Sequence, residues 1–410
     1  MKVYLVGGAV RDQLLGYPVK ERDWVVLGAT PKQLLDEGYQ QVGRDFPVFL
    51  HPKTREEYAL ARIERKMAPG YHGFSCNFSP LVTLEDDLLR RDLTINAMAM
   101  DADGKLIDPY HGQDDLSAKL LRHVSPAFSE DPVRVLRVAR FAARYHHLGF
   151  RLANETRVLM YGMVKRGELA HLVAERVWQE WQRSLEEKNP ELFISTLRSC
   201  GALQIVLPEL NALFGIPNPC HFHPEIDSGV HTLMVLSASV VLSEDPIIRF
   251  AAMVHDLGKA CTPKSAWPSH HAHEELGLTV IAGLCQRLRI PVDYRDAALM
   301  ASRFHLHIHR LQSLNANTIV DVLERTHAFR RRQLFEMLLI VCEADAQGRG
   351  RHIEYTQAAQ WRHLLDECIK INAKMLMAEG IQGSAIKLGL HRHRVLSVES
   401  LINSWKTHEK

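Results

Sequence analysis

The chain has 410 residues, 46% of them apolar, and its 50 basic and 48 acidic side chains leave a formal charge of +2 with histidine neutral. That size accommodates about two to four domains with buried cores, and the near balance of charge restricts any surface for a polyanion to a local patch. Seven cysteines with no CxxC pair argue against a disulfide framework or a thiolate zinc site and fit a reducing cytoplasm, and no apolar run reaches the roughly 20 residues of a membrane span.

In chain order, Lys2 to Val6 is predicted as a short apolar strand that ends in Gly7-Gly8, with Arg11-Asp12 following in Gly-Gly-Ala-Val-Arg-Asp. Glycines at a strand end let backbone N–H groups approach phosphate oxygens, and Arg11 adds a charge-assisted fork. Glu21 and Asp23 are two apart in a segment running into Trp24 to Leu27, so on a strand both carboxylates point the same way, a hard-oxygen site suited to Mg²⁺. Further short strands are expected at Val48 to Leu50, Tyr58 to Ile63 and Leu106 to Asp108. Glu56 and Glu57 precede the second of these, and alternation lets only one of them face Glu21 and Asp23. Arg90-Arg91-Asp92-Leu93-Thr94-Ile95-Asn96-Ala97 reads as a helix, with Asp92 and Asn96 four apart on one side.

Beyond about residue 130 the apolar pattern is helical: Arg134 to Tyr145, Leu172 to Leu185, His231 to Leu242, Ile247 to Leu257, Glu275 to Leu288, Ile319 to Leu323 and Leu334 to Cys342. Proline and glycine mark breaks near residues 215 to 225 and 263 to 268. The first long helix opens with Glu130-Asp131-Pro132 and carries Arg134, Arg137, Arg140 and Arg144 as one stripe, all arginine and none lysine, which suits planar, bidentate recognition. Glu130-Asp131-x-x-Arg134-x-x-Arg137-x-x-Arg140-Phe141 resembles the nucleotide-recognition helix of the class II tRNA nucleotidyltransferases, which implies that Asp131 and Arg134, three apart, face one base together. Cytosine and adenine present an amine beside a ring-nitrogen acceptor, whereas uracil and guanine present a carbonyl beside a ring N–H. A carboxylate with a guanidinium therefore fits C and A and repels U and G.

These strings together, GGxxRD with paired acids, RRDxTINA and EDxxRxxRxxRF, resemble the class II tRNA nucleotidyltransferases, within the DNA polymerase beta superfamily; bacterial poly(A) polymerases share the head. The resemblance implies an α+β protein: a small mixed α/β head followed by an all-helical neck, body and tail. It implies Glu21, Asp23 and Glu57 as catalytic acids, the first two holding Mg²⁺, although the family normally has aspartate at the position of Glu21. It further implies nucleotide contacts from Gly7, Gly8, Arg11, Arg91, Asp92, Asn96, Asp131, Arg134, Arg137 and Arg140, with Arg91 on the triphosphate and Asp92 and Asn96 near the ribose.

His231, His255-Asp256, His270, His271, His273, His305 and Asp345 form a second, metal-type pattern among 23 histidines, while His307 and His309 read as surface or capped core residues rather than ligands. Val-His-Asp-Leu-Gly-Lys, with an upstream histidine and a distant aspartate, resembles the HD phosphohydrolases. That resemblance implies His231, His255, Asp256 and Asp345 as ligands, with His273 and His305 nearby. Imidazole with carboxylate suits Ni²⁺, Co²⁺ or Mn²⁺ better than Mg²⁺ alone. A nucleotidyltransferase head followed by an HD domain is the arrangement of bacterial class II CCA-adding enzymes. The expected division is 1–140 head, 141–225 neck and body, 226–350 HD domain and 351–410 tail. The expected partners are tRNA, CTP and ATP, acting in the cytoplasm without a membrane as a monomer or weak homodimer. Lys165-Arg166, Arg176 and Arg392-His393-Arg394 are candidate RNA-phosphate contacts. The alternatives are a poly(A) polymerase-like enzyme and an HD hydrolase with an inert head.

Overall fold

The computed structural model describes residues 1–19, 21–42, 48–66, 74–219, 226–349 and 354–408. The chain forms two compact units, Met1–Val206 and Leu207–Lys410.

In the first unit, strand β1 (Lys2–Val6) runs into helix α1 (Gly8–Leu14), and β2 (Asp23–Leu27) returns antiparallel to β1. Helix α2 (Pro31–Asp36) leads to β3 (Gln40–Val42), β4 (Val48–Leu50) and β5 (Glu57–Leu60). A separate hairpin, β6 (Ile63–Lys66) and β7 (Phe74–Asn77), precedes α3 (Leu84–Leu89), β8 (Ala99–Met100) and β9 (Leu106–Ile107). Among the described residues seven strands form one mixed sheet in the order β3-β4-β5-β2-β1-β8-β9, with β2 and β5 parallel. Alternation sorts the core: Val6, Val25, Leu84, Leu88 and Ala99 pack on one face, and Val26, Leu34, Phe49, Tyr58 and Leu60 on the other.

The strands expected at Lys2 to Val6, Trp24 to Leu27, Val48 to Leu50 and Leu106 to Asp108 are present, Tyr58 to Ile63 is two strands rather than one, and β3, β7 and β8 are strands that the sequence did not signal. Arg90 to Ala97 is not a helix. Helix α3, started by a Thr83–Asp86 capping box, ends at Leu89; Leu93 is extended and only Thr94–Asn96 turns again, as a 3₁₀ segment. The break has a physical cause: Thr94 bonds outward, its N–H to the Arg122 carbonyl and its hydroxyl to Asp115, which fixes backbone that helix continuation would need.

Helix α4 (Gly112–Ala118) then leads to α5 (Val133–Tyr145), which packs against α7 (Ala174–Leu185) and α8 (Glu191–Ser199); α6 (Asn154–Lys165) lies between them in sequence. Buried Leu136, Val138, Phe141 and Trp181 supply the contact, leaving the arginine edge of α5 turned toward the sheet's acids.

After short helices α9 (Leu203–Val206) and α10 (Pro208–Asn211), the second unit is helical: α11 (Ser228–Leu242), α12 (Pro246–Val254), α13 (His273–Leu288), α14 (Val292–His309), α15 (Ala316–Arg325), α16 (Arg332–Gln347), α17 (Gln357–Lys370), α18 (Ala373–Ala378) and α19 (Ala385–His408). Helices α11, α12, α13, α14 and α16 form its core. The tail folds onto it, with α17 on α14 and α16 through Trp361, whose indole N–H donates to the Ile308 carbonyl at 3.1 Å. No described helix is long and apolar enough to cross a membrane.

Candidate functional site

A cleft of about 900 Å³ opens in the first unit, large enough for a nucleotide. One wall is acidic. Asp23 opens β2 and is the register partner of Glu57 on parallel β5, so their side chains emerge on one face of the sheet. Glu21 lies just before the strand and also lines the cleft. Glu56 faces away and accepts from the Trp24 indole N–H at 3.0 Å, while Trp24 stacks on Tyr58; alternation thus selects Glu57. Desolvation in the cleft raises the Asp23 carboxyl above its usual range, the Glu21 charge adds to this, and Arg91 and Arg137 oppose it. Glu57 is raised by desolvation and by the charges of Asp23 and Glu21. Carboxylates crowded on one face of a cleft favour a divalent cation, and an all-oxygen set fits Mg²⁺.

The lining of the cleft also carries ten arginines and, among the described residues, no lysine. Gly7 has φ +70°, and a Cβ there would lie 2.7 Å from Arg91 Nη1, so glycine lets the guanidinium rest against the backbone at the end of β1. Arg91 is held by Asp87 (3.2 Å), which is fully buried. Burial opposes the Asp87 charge, but Arg90 and Arg91 hold it below the usual range. Arg11 lines the cleft beside Gly8 and is buried, its guanidinium donating to Asp12 (2.9 Å) and to the Asn96 side-chain oxygen. Asn96 in turn donates to Asp92 at 2.9 Å.

Each arginine of the α5 stripe is braced by a different element, apart from Arg134, which donates to the nearby Ala127 carbonyl at 2.8 Å. Arg137 donates to Asp92 (2.7 Å), Arg140 to Glu180 of α7 (2.6 Å), and Arg144 reaches Asp12 of α1 (3.4 Å). Asp131 is not on the helix. It is extended just before it, receives the Val133 N–H and forms a bidentate pair with Arg176 at 3.1 and 2.7 Å. Arg176, read from the sequence as an RNA contact, therefore fixes Asp131 at the cleft edge.

Burial opposes the Asp92 charge, but Arg137 holds it far below the usual carboxylate range. A depressed carboxylate stabilises the fold above its unfolded pKa, near 4, and loses that contribution as pH falls through the folded value. Arg137→Ala is thus expected to cost about 2 kcal/mol at pH 7, from a buried charge deprived of its partner. Urea unfolding at pH 7 and pH 3.5 should show that gap shrinking in acid.

In the second unit, His231 (α11), His255-Asp256 (after α12), His273 (α13), His305 (α14) and Asp345 (α16) meet in one buried cluster. His231 Nε2 lies 2.9 Å from Asp345 Oδ1, and His255 Nε2 lies 3.4 Å from Asp256 Oδ2 and 3.9 Å from Asp345 Oδ2. His255 Nδ1 donates to the Ala252 carbonyl at 2.8 Å, which turns Nε2 inward. Burial disfavours charge on His255, yet Asp256 and then Asp345 outweigh it and lift the imidazole to about 9. A cation is what this cluster favours, and the mixed nitrogen and oxygen donors fit a transition metal. Gly258 makes the approach possible, because a Cβ there would lie 1.9 Å from the His273 carbonyl oxygen. His270 is structural instead, bonded to Thr262 and to the Pro217 carbonyl.

Residues 3–122 match the poly A polymerase head domain, 149–214 the probable RNA and SrmB-binding site of polymerase A, and 229–346 the HD domain. The multifunctional CCA protein of Legionella pneumophila (strain Lens) is 65% identical over 410 residues, and that of Teredinibacter turnerae 56% over 411, each with 100% of both chains covered. The chain belongs to the multifunctional CCA protein family. It is a CCA nucleotidyltransferase with an HD domain attached. The fold agrees: the Thermotoga maritima CCA-adding enzyme complexed with tRNA aligns at a TM-score of 0.61 and 20% identity over 97% of this chain and 87% of that one. The Bacillus stearothermophilus CCA-adding enzyme in complex with CTP aligns at 0.60 and 22%, over 97% and 89%.

Within this multifunctional CCA chain, several residues of the two sites escaped the sequence reading. Asp87, Asp12 and Glu180 are the acids that hold Arg91, Arg144 and Arg140, and only the Arg176/Glu180 spacing on amphipathic α7 hinted at an edge facing α5. His309, read as a surface or capped core residue, lies 2.7 Å from Asp345 Oδ2 through Nε2 and 3.0 Å from the Tyr355 hydroxyl through Nδ1. Arg392-His393-Arg394 is partly structural: Arg394 stacks over Phe329 at 3.8 Å and pairs with Glu324.

Proposed function

We propose that this chain adds C, C and A to the 3′ end of tRNA from CTP and ATP, releasing pyrophosphate, and that its HD domain hydrolyses phosphate monoesters or 2′,3′-cyclic phosphates. The observation that carries the first activity is the Asp23–Glu57 pair, with Glu21 beside it, facing an arginine wall across one cleft. Bound Mg²⁺ would supply Lewis-acid polarisation of the reacting phosphate and lower the proton affinity of the attacking 3′ hydroxyl. Glu21 and Asp23 would hold it, with Glu57 close to the hydroxyl. Arg91, fixed against Gly7 by Asp87, takes the triphosphate charge together with Arg11, and Asp92 and Asn96 lie near the ribose.

Asp131 reads the base edge. Arg176 clamps its carboxylate, which has about four lone-pair sites and can accept an amine as well as the guanidinium. Arg134 donates to the ring nitrogen, and Arg137 and Arg140, locked by Asp92 and Glu180, keep the start of α5 in place. Unpaired buried donors facing U or G supply the discrimination.

In the HD domain, His231, His255, Asp256 and Asp345 would hold a transition metal such as Ni²⁺, which supplies an activated water. The division at 1–140, 141–225, 226–350 and 351–410 assigns these roles to head, neck and body, HD domain and tail. Transfer of CTP and ATP onto tRNA lacking its CCA tests the reading. Glu21→Asp is expected to keep that activity within about tenfold of the parent, since a carboxylate persists and moves by about one C–C bond. Absence of CTP and ATP incorporation by both proteins at every Mg²⁺ concentration would refute the reading.

A further inference from the structure

Arg11 lines the nucleotide cleft, yet its guanidinium is enclosed, with 3% of the residue exposed. Its Nε donates to Asp12 Oδ1 at 2.9 Å, and its Nη1 donates to the Asn96 side-chain oxygen. Its Cζ lies 5.3 Å from the centre of the Phe141 ring and 5.1 Å from that of Tyr145. Nη2 lies beside Gly8, 3.4 Å from where a Cβ would stand, and makes no hydrogen bond among the described residues. Two edges of the fork are therefore held, and the remaining one is open to a phosphate oxygen.

The acid that holds Nε is itself fixed. Asp12 is buried, its Oδ1 also accepts from the Tyr145 hydroxyl at 2.9 Å, and its Oδ2 lies 3.4 Å from Arg144. Arg144 and the fully buried Tyr145 are the last two residues of α5. A carboxylate tied to a packed helix cannot swing with Arg11, so it sets the direction of the guanidinium.

Charge alone gives Asp12 the wrong sign for this place. A carboxylate beside a triphosphate repels it, and Arg11 and Arg144 would attract the anion more strongly without it. Placement acts in the opposite sense. An arginine already held in its bound orientation loses less rotamer freedom on binding, and a charge-assisted hydrogen bond holds it better than a neutral one. Removing the charge while keeping the shape therefore separates the two effects by sign.

We propose that Asp12 is a positioning residue for nucleotidyl transfer: it fixes Arg11 against the end of α5 so that Nη2 meets the triphosphate of the incoming nucleotide. This deepens the triphosphate role given to Arg11 above and rests on it.

The test measures, on the full chain, the inhibition constant of pyrophosphate together with KM and kcat for CTP addition to tRNA lacking its CCA. Asp12→Asn is expected to raise the pyrophosphate constant and the KM for CTP by about tenfold each, with kcat changed by less than about threefold. Arg11→Ala should raise both at least as far. Adding Asp12→Asn to Arg11→Ala should then change either by less than about twofold, a coupling that general loosening of the fold does not produce. Arg11→Lys keeps Asp12 and the charge but not the fork, so it should match Asp12→Asn, and it decides the matter if Asp12→Asn does not fold. Unchanged or tighter pyrophosphate binding in Asp12→Asn, a full further loss in the double variant, or Arg11→Lys within about twofold of the parent overturns the positioning role. A parent that adds no CTP at any Mg²⁺ concentration overturns the transfer reading itself, and the role of Asp12 with it.

Discussion

Asp23→Asn is expected to lower CTP incorporation by about 10³-fold or more and to leave HD-domain hydrolysis within about twofold of the parent. Asp23 has Glu57 across the register and Glu21 two residues earlier, and it lies in the field of Arg91 and Arg137. Asparagine keeps the shape and one oxygen but removes the charge that holds a cation. Loss of Lewis-acid stabilisation at the reacting phosphate amounts to several kcal/mol, and about 4 kcal/mol corresponds to three decades in rate. The first unit should still fold, because Asp23 is solvent-open at the cleft mouth and its strand is secured by Val25 and Val26. Single-turnover incorporation, with phosphatase activity assayed on the same preparation, checks both halves.

The complementary result is expected for Asp256→Asn. HD hydrolysis should fall by about 10²-fold or more, while CCA addition is retained. Asp256 is buried, pairs with Lys259 at 2.7 Å and touches three imidazoles, so burial opposes its charge while His255 and Lys259 hold it well below the usual carboxylate range. Without that charge Lys259 loses its counter-ion, and the metal-binding cluster proposed above loses the carboxylate that His255, His273 and His305 surround. A melting temperature lowered by a few degrees should accompany the loss, since the buried Lys259 ammonium, still donating to Asn218 Oδ1 at 3.0 Å, is deprived of its counter-charge. Hydrolysis of a 2′,3′-cyclic nucleotide with added Ni²⁺ measures the first effect, and thermal unfolding the second.

The head was legible in the sequence because its signals are local. A strand ending in Gly7-Gly8, acids two apart and an arginine every third or fourth residue are patterns that one element carries by itself. Arg90 to Ala97 was misread for the opposite reason: its spacing suits a helix, but Asp115 and the Arg122 carbonyl, more than twenty residues later, draw Thr94 out of one. The braces Asp87, Glu180 and Asp12 were invisible because a buried acid on an amphipathic helix has the same spacing as a solvated one. In the HD domain the motif named four ligands. The roles of His309 and of the inward-facing Nε2 atoms depend on which carbonyl each ring meets, and that is a property of helix packing rather than of spacing.

Side chains at the start of α5, and no nucleic-acid template, are proposed to choose the nucleotide. The direct measurement is incorporation of each of the four labelled nucleoside triphosphates into tRNA lacking its CCA, by the parent and by Arg134→Ala. The account predicts that Arg134→Ala lowers discrimination against UTP and GTP by about 10²-fold, the equivalent of nearly 3 kcal/mol, with the KM for CTP changed by less than about threefold. An unchanged nucleotide preference in Arg134→Ala, with CTP binding weakened instead, would contradict it.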